Sequence, residues 1–350
     1  MQGVVEIEQP ERCSIGRHKS DRPRPSGGNH EATKERQAVK GFAKRLIIVT
    51  LALLFCFYLP QASAAPISAP DTANQTVPNR GALYRVSDGR HTMHLFGTIH
   101  VGAPDFYPLE PRITRALAAA PTLALELDPQ NAGALQAAVQ RHGIYPDGQR
   151  FEQQLDPALA QRTLAALRRY QLPAERLQNF RPWMLATALT VQEYASSGYR
   201  PELAVDNHLA DAVRGHGGKI IELESAERQM AIFSRLNAAQ QAQFLGDTLD
   251  ELDDADLKRK LDELVGAWRH ADSNGFDQAL KEMDDDKSFA SRFARHALLD
   301  ERNPGLADGI AALLAKQDKA VAAIGILHLV GPGSVPALLK KKGLRVEQIY

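Results

Sequence analysis

The chain has 350 residues, 44% of them apolar, with 42 Lys and Arg against 42 Asp and Glu. That length allows one large domain or two ordinary ones and buries a substantial core without disulfide staples. Residues 1–45 take ten of the basic and six of the acidic residues and 46–64 take none, leaving a net charge of about −4 on the rest; a mildly acidic folded part excludes nucleic acid as a partner class.

Residues 1–45 are rich in Arg, Lys, Pro, Gly, Ser and His and have no apolar period, so they read as a disordered basic leader. Lys44-Arg45 then precedes the uncharged run Leu46 to Leu59, which exits through Gln61-Ala62-Ser63-Ala64-Ala65. A positive flank, an apolar stretch and a small-x-small exit describe a secretory signal over 46–64, with cleavage near Ala64 and a periplasmic or secreted product. The run falls short of the ~20 residues of a membrane-spanning helix. Two alternatives follow from the long segment before it: the true start lies downstream of Met1, or the segment is retained as an uncleaved anchor, the one membrane contact the sequence suggests. Cys13 and Cys56 both precede the cleavage position, so the mature chain has no disulfide, Cys nucleophile or thiolate metal site. Bulky Phe55 before Cys56 also argues against lipid attachment there.

Residues 65–80, rich in Pro, Ala and Asn, read as a linker to a domain over 81–350. Leu83–Val86 and Thr92–Gly97 are predicted strands, joined at Asp88-Gly89 into a hairpin. Pro111 to Ala120 is a predicted helix with Pro at its start, and Leu123–Leu127 a short buried strand. From about 130 to 316 the pattern is a helical insertion: Gln130–Arg141, Pro157–Tyr170, Trp183–Ser197, Leu203–Gly215 and Ala239–Asp250 carry spaced apolar residues between Pro, Gly or Asn breaks. One strand, Lys219–Leu223, interrupts it. The acidic runs Asp250–Asp256 and Asp284–Asp286 read as solvated helix faces and ends, since neither has the ligand alternation of a calcium loop. Lys319–Gly325, Gly333–Lys342 and Leu344–Ile349 close the chain as strand, helix and strand. The fold class expected is α/β, with a central mixed sheet, flanking helices and the large helical insertion.

A unit recurs near the two ends of that domain: a strand ending in Gly-x-x-His, then Val-Gly, Pro and a helix. It occurs as Gly97-Thr98-Ile99-His100-Val101-Gly102 and as Gly325-Ile326-Leu327-His328-Leu329-Val330-Gly331-Pro332. Such a motif puts an imidazole at the carboxyl end of a strand, where open α/β sheets place their ligand crevices. One His beside an apolar strand is usually a satisfied core residue; two in equivalent contexts converge if their strands are neighbours. Neutral imidazole is a common ligand of divalent metals. Glu126, at the end of the Leu123–Leu127 strand, is the natural third member, because a carboxylate there is costly to bury without a cation. It serves either as a metal ligand or as a general base. Asp128, two residues on and on the same face, reads more simply as a helix cap before Pro129. Glu222 and Glu224 close the next strand, and Ser225-Ala226-Glu227 resembles a helix start, so Glu224 divides evenly between capping and function. Arg302-Asn303 has the chemistry to hold an oxyanion or orient a carboxylate.

Other signals carry less. His91 and His94 face opposite sides of a strand, and only His94 shares the parity of His100. Neither a Gly-x-Ser-x-Gly elbow nor a His-Glu-x-x-His motif is present. Trp183 and Trp268 lie in helical stretches as core or lid residues.

Leu95-Phe96-Gly97-Thr98-Ile99-His100-Val101-Gly102, Asp105-Phe106-Tyr107-Pro108-Leu109, Leu125-Glu126-Leu127-Asp128 and Ile324-Gly325 through His328-Leu329-Val330-Gly331 closely resemble the TraB/PrgY/GumN family. Val205-Asp206, Leu223-Glu224 with Gln229, and Glu301-Arg302-Asn303 resemble further family segments, and the likeness runs from Ala82 to the C-terminus. It implies kinship with the Tiki metal-dependent peptidases and, more distantly, with erythromycin esterases and ChaN-like haem-binding proteins. On that resemblance His100, His328, Glu126 and Glu224 form a set for a divalent metal ion, with Glu126, Arg302 and Asn303 as catalytic residues. Two departures, Ala204 for the usual Gly and Ile326-Leu327 where small residues are frequent, narrow the pocket without removing a functional group. The function expected is an exported metal-dependent hydrolase, foremost a peptidase, acting on a peptide or a small ester or amide. The alternatives are a non-enzymatic haem- or peptide-binding protein and an accessory factor of envelope polysaccharide production.

Overall fold

The computed structural model describes residues 77–146 and 148–350. The basic leader, the signal segment with its cleavage position, both cysteines and most of the linker lie outside the described residues.

Six strands form one mixed sheet: β1 (Leu83–Ser87), β2 (Thr92–Thr98), β3 (Thr122–Leu125), β4 (Lys219–Glu222), β5 (Val321–Gly325) and β6 (Arg345–Gln348). Their spatial order is β4-β3-β5-β2-β1-β6. β4, β3, β5 and β2 run parallel, whereas β1 is antiparallel to both β2 and β6. The hairpin expected between β1 and β2 forms because Asp88 makes a local turn. Its Oδ1 accepts from the backbone N–H of Arg90 at 2.8 Å and of His91 at 2.7 Å, and Gly89 supplies a φ of +91°.

β3 and β5 are buried at every position and, Thr122 apart, carry no polar side chain, as expected of parallel strands covered on both faces. β5 is inserted between β2 and β3, although it follows both by most of the chain's length. The carboxyl ends of β2, β5, β3 and β4 therefore share one edge of the sheet. The registers Thr98↔Gly325, Leu125↔Ala323 and Leu125↔Glu222 keep those ends nearly level. That edge, at the point where strand order breaks from sequence order, is where α/β sheets hold ligands.

Between Ala132 and Leu314 the chain is helical except for loops and β4. The predicted helices appear with small shifts at their ends, as Ala132–His142, Pro157–Arg169, Pro182–Ser196, Val205–Gly215 and Ala238–Leu252. Trp183 and Trp268 are fully buried core residues, not lid residues. Trp183 stacks on Phe233 with centroids 4.4 Å apart. Trp268 stacks on Phe106 at 4.9 Å and donates its indole N–H to the Gly97 carbonyl at 3.0 Å, tying the Leu257–Arg269 helix to the end of β2. The acidic runs are consumed locally: Asp250 and Asp253 pair with Arg162, Asp284 with Arg295 and Asp285 with Lys281. Among the described residues no helix is long and apolar enough to cross a membrane.

Candidate active site

The two Gly-x-x-His motifs leave adjacent parallel strands, β2 and β5, so their imidazoles rise from the same edge. Both glycines are there for close packing. A Cβ on Gly97 would sit 2.4 Å from Ile326 Cδ1, so the turn Ile326–Leu329 seats directly on β2. A Cβ on Gly325 would sit 2.9 Å from His100 Nε2 and 3.3 Å from Glu126 Oε1. The bare Gly325 thus leaves the space in which His100 and Glu126 meet. Glu126, the first residue past β3, completes the group: its Oε1 accepts from the Gly325 N–H at 2.7 Å and lies 3.9 Å from His328 Nε2. Glu126 and His328 are each 2% exposed and His100 8%.

Each imidazole is held from behind through Nδ1. His100 Nδ1 lies 2.9 Å from Asp206 Oδ2, and Asp206 Oδ1 accepts from the Thr98 hydroxyl at 2.9 Å. His328 Nδ1 lies 2.6 Å from Asn303 Oδ1, while Asn303 Nδ2 donates to the Gly333 carbonyl at 3.0 Å. The two rings therefore differ electrostatically. Burial would lower the proton affinity of His100, but the charge of Asp206 and its hydrogen bond, helped by Glu126, raise it overall. His328 has a neutral amide partner, and burial pushes it down to about 3 despite the attraction of Glu126.

Behind Glu126 lies a buried ion cluster. Arg302 bonds Glu126 and Glu224 through Nη2, reaches Glu224 again through Nε at 3.0 Å, and donates Nη1 to the Leu298 carbonyl at 3.0 Å. Gln229 Nε2 donates to Glu224 at 2.8 Å. Burial alone would raise the Glu126 pKa, but the Arg302 guanidinium, followed by His328, His100 and the Gly325 N–H, holds the carboxyl well below the usual range. The same pairing raises Arg302 against its own burial.

Of the two roles the sequence allowed Arg302, the cluster favours orienting a carboxylate over holding an oxyanion, because all three guanidinium nitrogens already donate within the protein. Asn303 likewise has both ends of its amide engaged, with His328 and Gly333. Glu224 sits on the far side of Arg302 with both oxygens accepting from Arg302 or Gln229, while Ser225, not Glu224, caps the Ala226–Ser234 helix by accepting from the Arg228 N–H. His94 pairs in register with Val321, at the opposite end of β5 from the motif. Ile326 and Leu327 are buried in the core and do not line the cleft, so this departure from the family pattern leaves the pocket its width. Ala204, the other departure, does line it.

The cleft above the group holds about 580 Å³ of space, open solvent at its mouth included. His100, Glu126, Asp128, Asp206 and Glu222 contribute its polar wall, and Leu127, Pro129, Leu135, Ala204 and Ala226 its apolar wall. Among the described residues no Lys or Arg lines it. Asp128 accepts from the Gln130 N–H at 2.9 Å and pairs with Arg214; it closes a turn rather than capping a helix as expected, because the helix starts only at Ala132, with Asn131 before it. Among the described residues Glu222 takes only neutral hydrogen-bond donors, the Asp128 N–H at 3.0 Å and the Asn131 amide at 3.3 Å. His328 lies behind this surface, so a ligand in the cleft meets His100 and Glu126 first.

Among the described residues no group of three or more His, Cys, Asp and Glu side chains stands at metal-binding spacing. The donor chemistry nevertheless suits a divalent cation: two imidazole nitrogens anchored through Nδ1, one ionised carboxylate and a space beside Gly325 that a Cβ would fill. Neighbouring donors of a tetrahedral zinc shell lie about 3.4 Å apart at bond lengths of about 2.0–2.2 Å. The 3.9 Å between His328 Nε2 and Glu126 Oε1 would close to that spacing with a shift of roughly half an ångström.

Asp206 is the site residue that sequence reading left without a role, although its Val205-Asp206 segment was in view. Its delivery depends on Gly102, whose N–H donates to the Arg200 carbonyl at 2.9 Å and whose carbonyl accepts from the Arg200 N–H at 2.8 Å. A Cβ there would fall 1.7 Å from the Leu203 carbonyl oxygen. The Val205 N–H then bonds the Ile99 carbonyl at 3.2 Å, which sets Asp206 against His100. The second glycine of the first motif was the available signal.

The TraB/PrgY/gumN family model matches residues 82–348. Two similar proteins, each described as "Uncharacterized protein YbaP", come from Escherichia coli (strain K12) and Shigella flexneri. Each is 26% identical over 252 residues, a stretch covering 72% of this chain and 89% of the relative. No solved structure matches. Paired Gly-x-x-His strands, the glutamate between their imidazoles and a match over nearly all the described residues lead to one statement: this chain belongs to the TraB/PrgY/gumN family.

Proposed function

We propose that the protein is a metal-dependent hydrolase that cleaves an amide or ester bond, foremost in a peptide, held in the cleft at the carboxyl edge of the sheet. The observation that carries this reading is the convergence of two back-anchored imidazoles and one ionised carboxylate beside Gly325. His100, His328 and Glu126 would hold the cation. Glu224 drops from the set, because its oxygens are engaged by Arg302 and Gln229. Charge agrees: Glu126, Glu224 and Asp206 against Arg302 leave carboxylates in excess around the imidazoles, which a divalent ion offsets. When bound, such an ion supplies Lewis acidity toward a carbonyl and acidifies water.

The protein's own side chains do the rest. Arg302 keeps Glu126 ionised and aimed at the imidazoles. A carboxylate held that far below neutral pH is a poor proton shuttle and a good cation ligand, which supports the ligand role over the general-base role. Leu127, Pro129, Leu135 and Ala204 exclude water from one wall, and Glu222, with no cationic partner among its hydrogen bonds, favours an amine-bearing substrate over a phosphorylated or acidic one. The same two imidazoles would serve a haem-binding protein, but a carboxylate and guanidinium at their meeting point favour hydrolysis. The erythromycin-esterase-like sheet and a site of action beyond the cytoplasmic membrane belong to this reading.

Elemental analysis of the purified protein, followed by a peptide-library screen with and without chelator, tests it. Bound divalent metal lost in His100→Ala and His328→Ala, with chelator-sensitive cleavage, is expected. Full metal content in the double variant would overturn it.

A further inference from the structure

We propose that Asp206 and Asn303 are the paired positioning residues of the site, each fixing one imidazole as its Nδ1–H tautomer so that both Nε2 lone pairs face Glu126. Asn303 leaves His328 no choice. Its Nδ2 is spent on the Gly333 carbonyl at 3.0 Å, so the amide oxygen must be the atom 2.6 Å from His328 Nδ1, and an amide oxygen only accepts. The proton is therefore on Nδ1. An ionised Asp206 only accepts as well: the Thr98 hydroxyl takes Oδ1 at 2.9 Å, and Oδ2 meets His100 Nδ1 at 2.9 Å. In the neutral rings, with each proton pinned at the back, the nitrogens facing Glu126 carry lone pairs. Left to themselves, two lone pairs beside a buried carboxylate repel, and the network holds them there against that repulsion.

Chain geometry supports a placed function. Asp206 lies in the first turn of the Val205–Gly215 helix, where an acidic residue eases the helix dipole. That role needs neither the contact to Thr98 nor the one to His100, 106 residues away. The backbone is shaped to deliver it: Gly102 admits the Leu203 carbonyl where a Cβ would clash, and the Val205–Ile99 hydrogen bond fixes the register. The second motif is matched, because the Gly331–Gly333 turn, with Gly331 at φ +83°, presents the carbonyl that orients Asn303. The two partners sit 97 residues apart, yet each lies at a helix start beside its own motif. This inference rests on the proposed function for its purpose, but its observable is the tautomer, which exists with no metal bound.

The test uses ¹⁵N-histidine-labelled full chain, treated with chelator, and long-range ¹H–¹⁵N spectra that distinguish Nδ1–H from Nε2–H rings. His100 and His328 are each expected as Nδ1–H. Asp206→Ala should release His100 into mixed tautomers while His328 stays fixed, and Asn303→Ala should do the reverse, so the unaffected ring reports an intact fold. Asp206→Asn keeps an acceptor and should restore the single tautomer, a rescue that a merely structural role would not give. Should the alanine chain fail to fold, Thr98→Val serves instead: it frees Asp206 to rotate and should produce mixing at His100 alone. Titration with zinc should then show a 10–100-fold weaker affinity in the alanine variants. An unchanged Nδ1–H ring at His100 in Asp206→Ala or Thr98→Val, or an Nε2–H ring in the unaltered protein, overturns the inference. A protein with fixed tautomers that takes up no zinc would instead overturn the metal reading and leave this one standing.

Discussion

Replacing Arg302 with Leu should cost about 3–5 kcal/mol of stability, the range for removing one partner of a buried ion pair. The structure argues for the upper part of that range. Arg302 is 7% exposed and carries two carboxylates, Glu126 at 2% and Glu224 with a side chain 7% exposed. Without it, two buried anions face one another across an apolar side chain. The sign of the pH dependence is the sharper part. In the unaltered protein Glu126 is held well below its unfolded value, so the folded state refuses a proton that the unfolded chain takes as pH falls, and acid destabilises. In the variant both carboxylates would be raised above the unfolded value of about 4.3. The folded state then binds protons first, and the stability gap to the unaltered protein should narrow by up to about 1.4 kcal/mol per pH unit per group between pH 8 and 5. Urea unfolding followed by circular dichroism at several pH values measures both quantities. The triple variant Arg302→Leu, Glu126→Gln, Glu224→Gln should recover to within about 2 kcal/mol, since replacing a whole buried ion cluster is often nearly neutral. A single-variant loss below about 1 kcal/mol, well under the buried-pair range, or a gap that widens on acidification, would refute the reasoning.

His328, pushed down to about 3 by burial, should cost the protein up to about 1.4 kcal/mol per pH unit as pH falls below about 6.5, because only the unfolded imidazole takes the proton; His328→Gln should flatten urea midpoints between pH 6.5 and 5. Gly325→Ala places a Cβ 2.9 Å from His100 Nε2 and should cost about 1–3 kcal/mol by overpacking and abolish metal retention on gel filtration. Gly305→Ala, which meets nothing within 4 Å on the Asn303–Leu314 helix, should be neutral or stabilising by up to about 1 kcal/mol in the same unfolding assay. Glu222→Lys should shift cleavage of a peptide library away from amine-bearing sequences with little change in melting temperature.

The parts of the site legible in the sequence were those whose signal is local. A strand ending in Gly-x-x-His sufficed to place His100 and His328, and an apolar run closed by a carboxylate sufficed for Glu126. Their meeting depended on β2 and β5 being neighbours, a long-range fact that the doubled motif encodes only by analogy between its copies. Arg302 was left with two possible duties because its sequence neighbours say nothing of Glu126, 176 residues away. Its burial follows from the π-helical stretch Ala294–Asp300 and the Pro-started helix after it, and a π turn has no sequence signature that periodicity detects. Helices such as Leu257–Arg269 and Ser273–Asp285 went undelimited for a related reason, their charged faces masking short apolar stripes. Asp206 was missed because the glycine that admits it, Gly102, is explained only by a carbonyl from a loop a hundred residues later.

The position of β5 has a consequence for how the protein comes into being. During synthesis, β2 and β3 are complete long before β5 leaves the ribosome, yet neither can pair with the other directly, because β5 belongs between them. Until it arrives the sheet lacks its middle, Glu126 has no Gly325 N–H to bind, and His100 faces an unfinished wall. Assembly of this edge is thereby postponed to the end of translation, and a chain cut short anywhere before the second motif lacks both Gly325 and His328 beside Glu126.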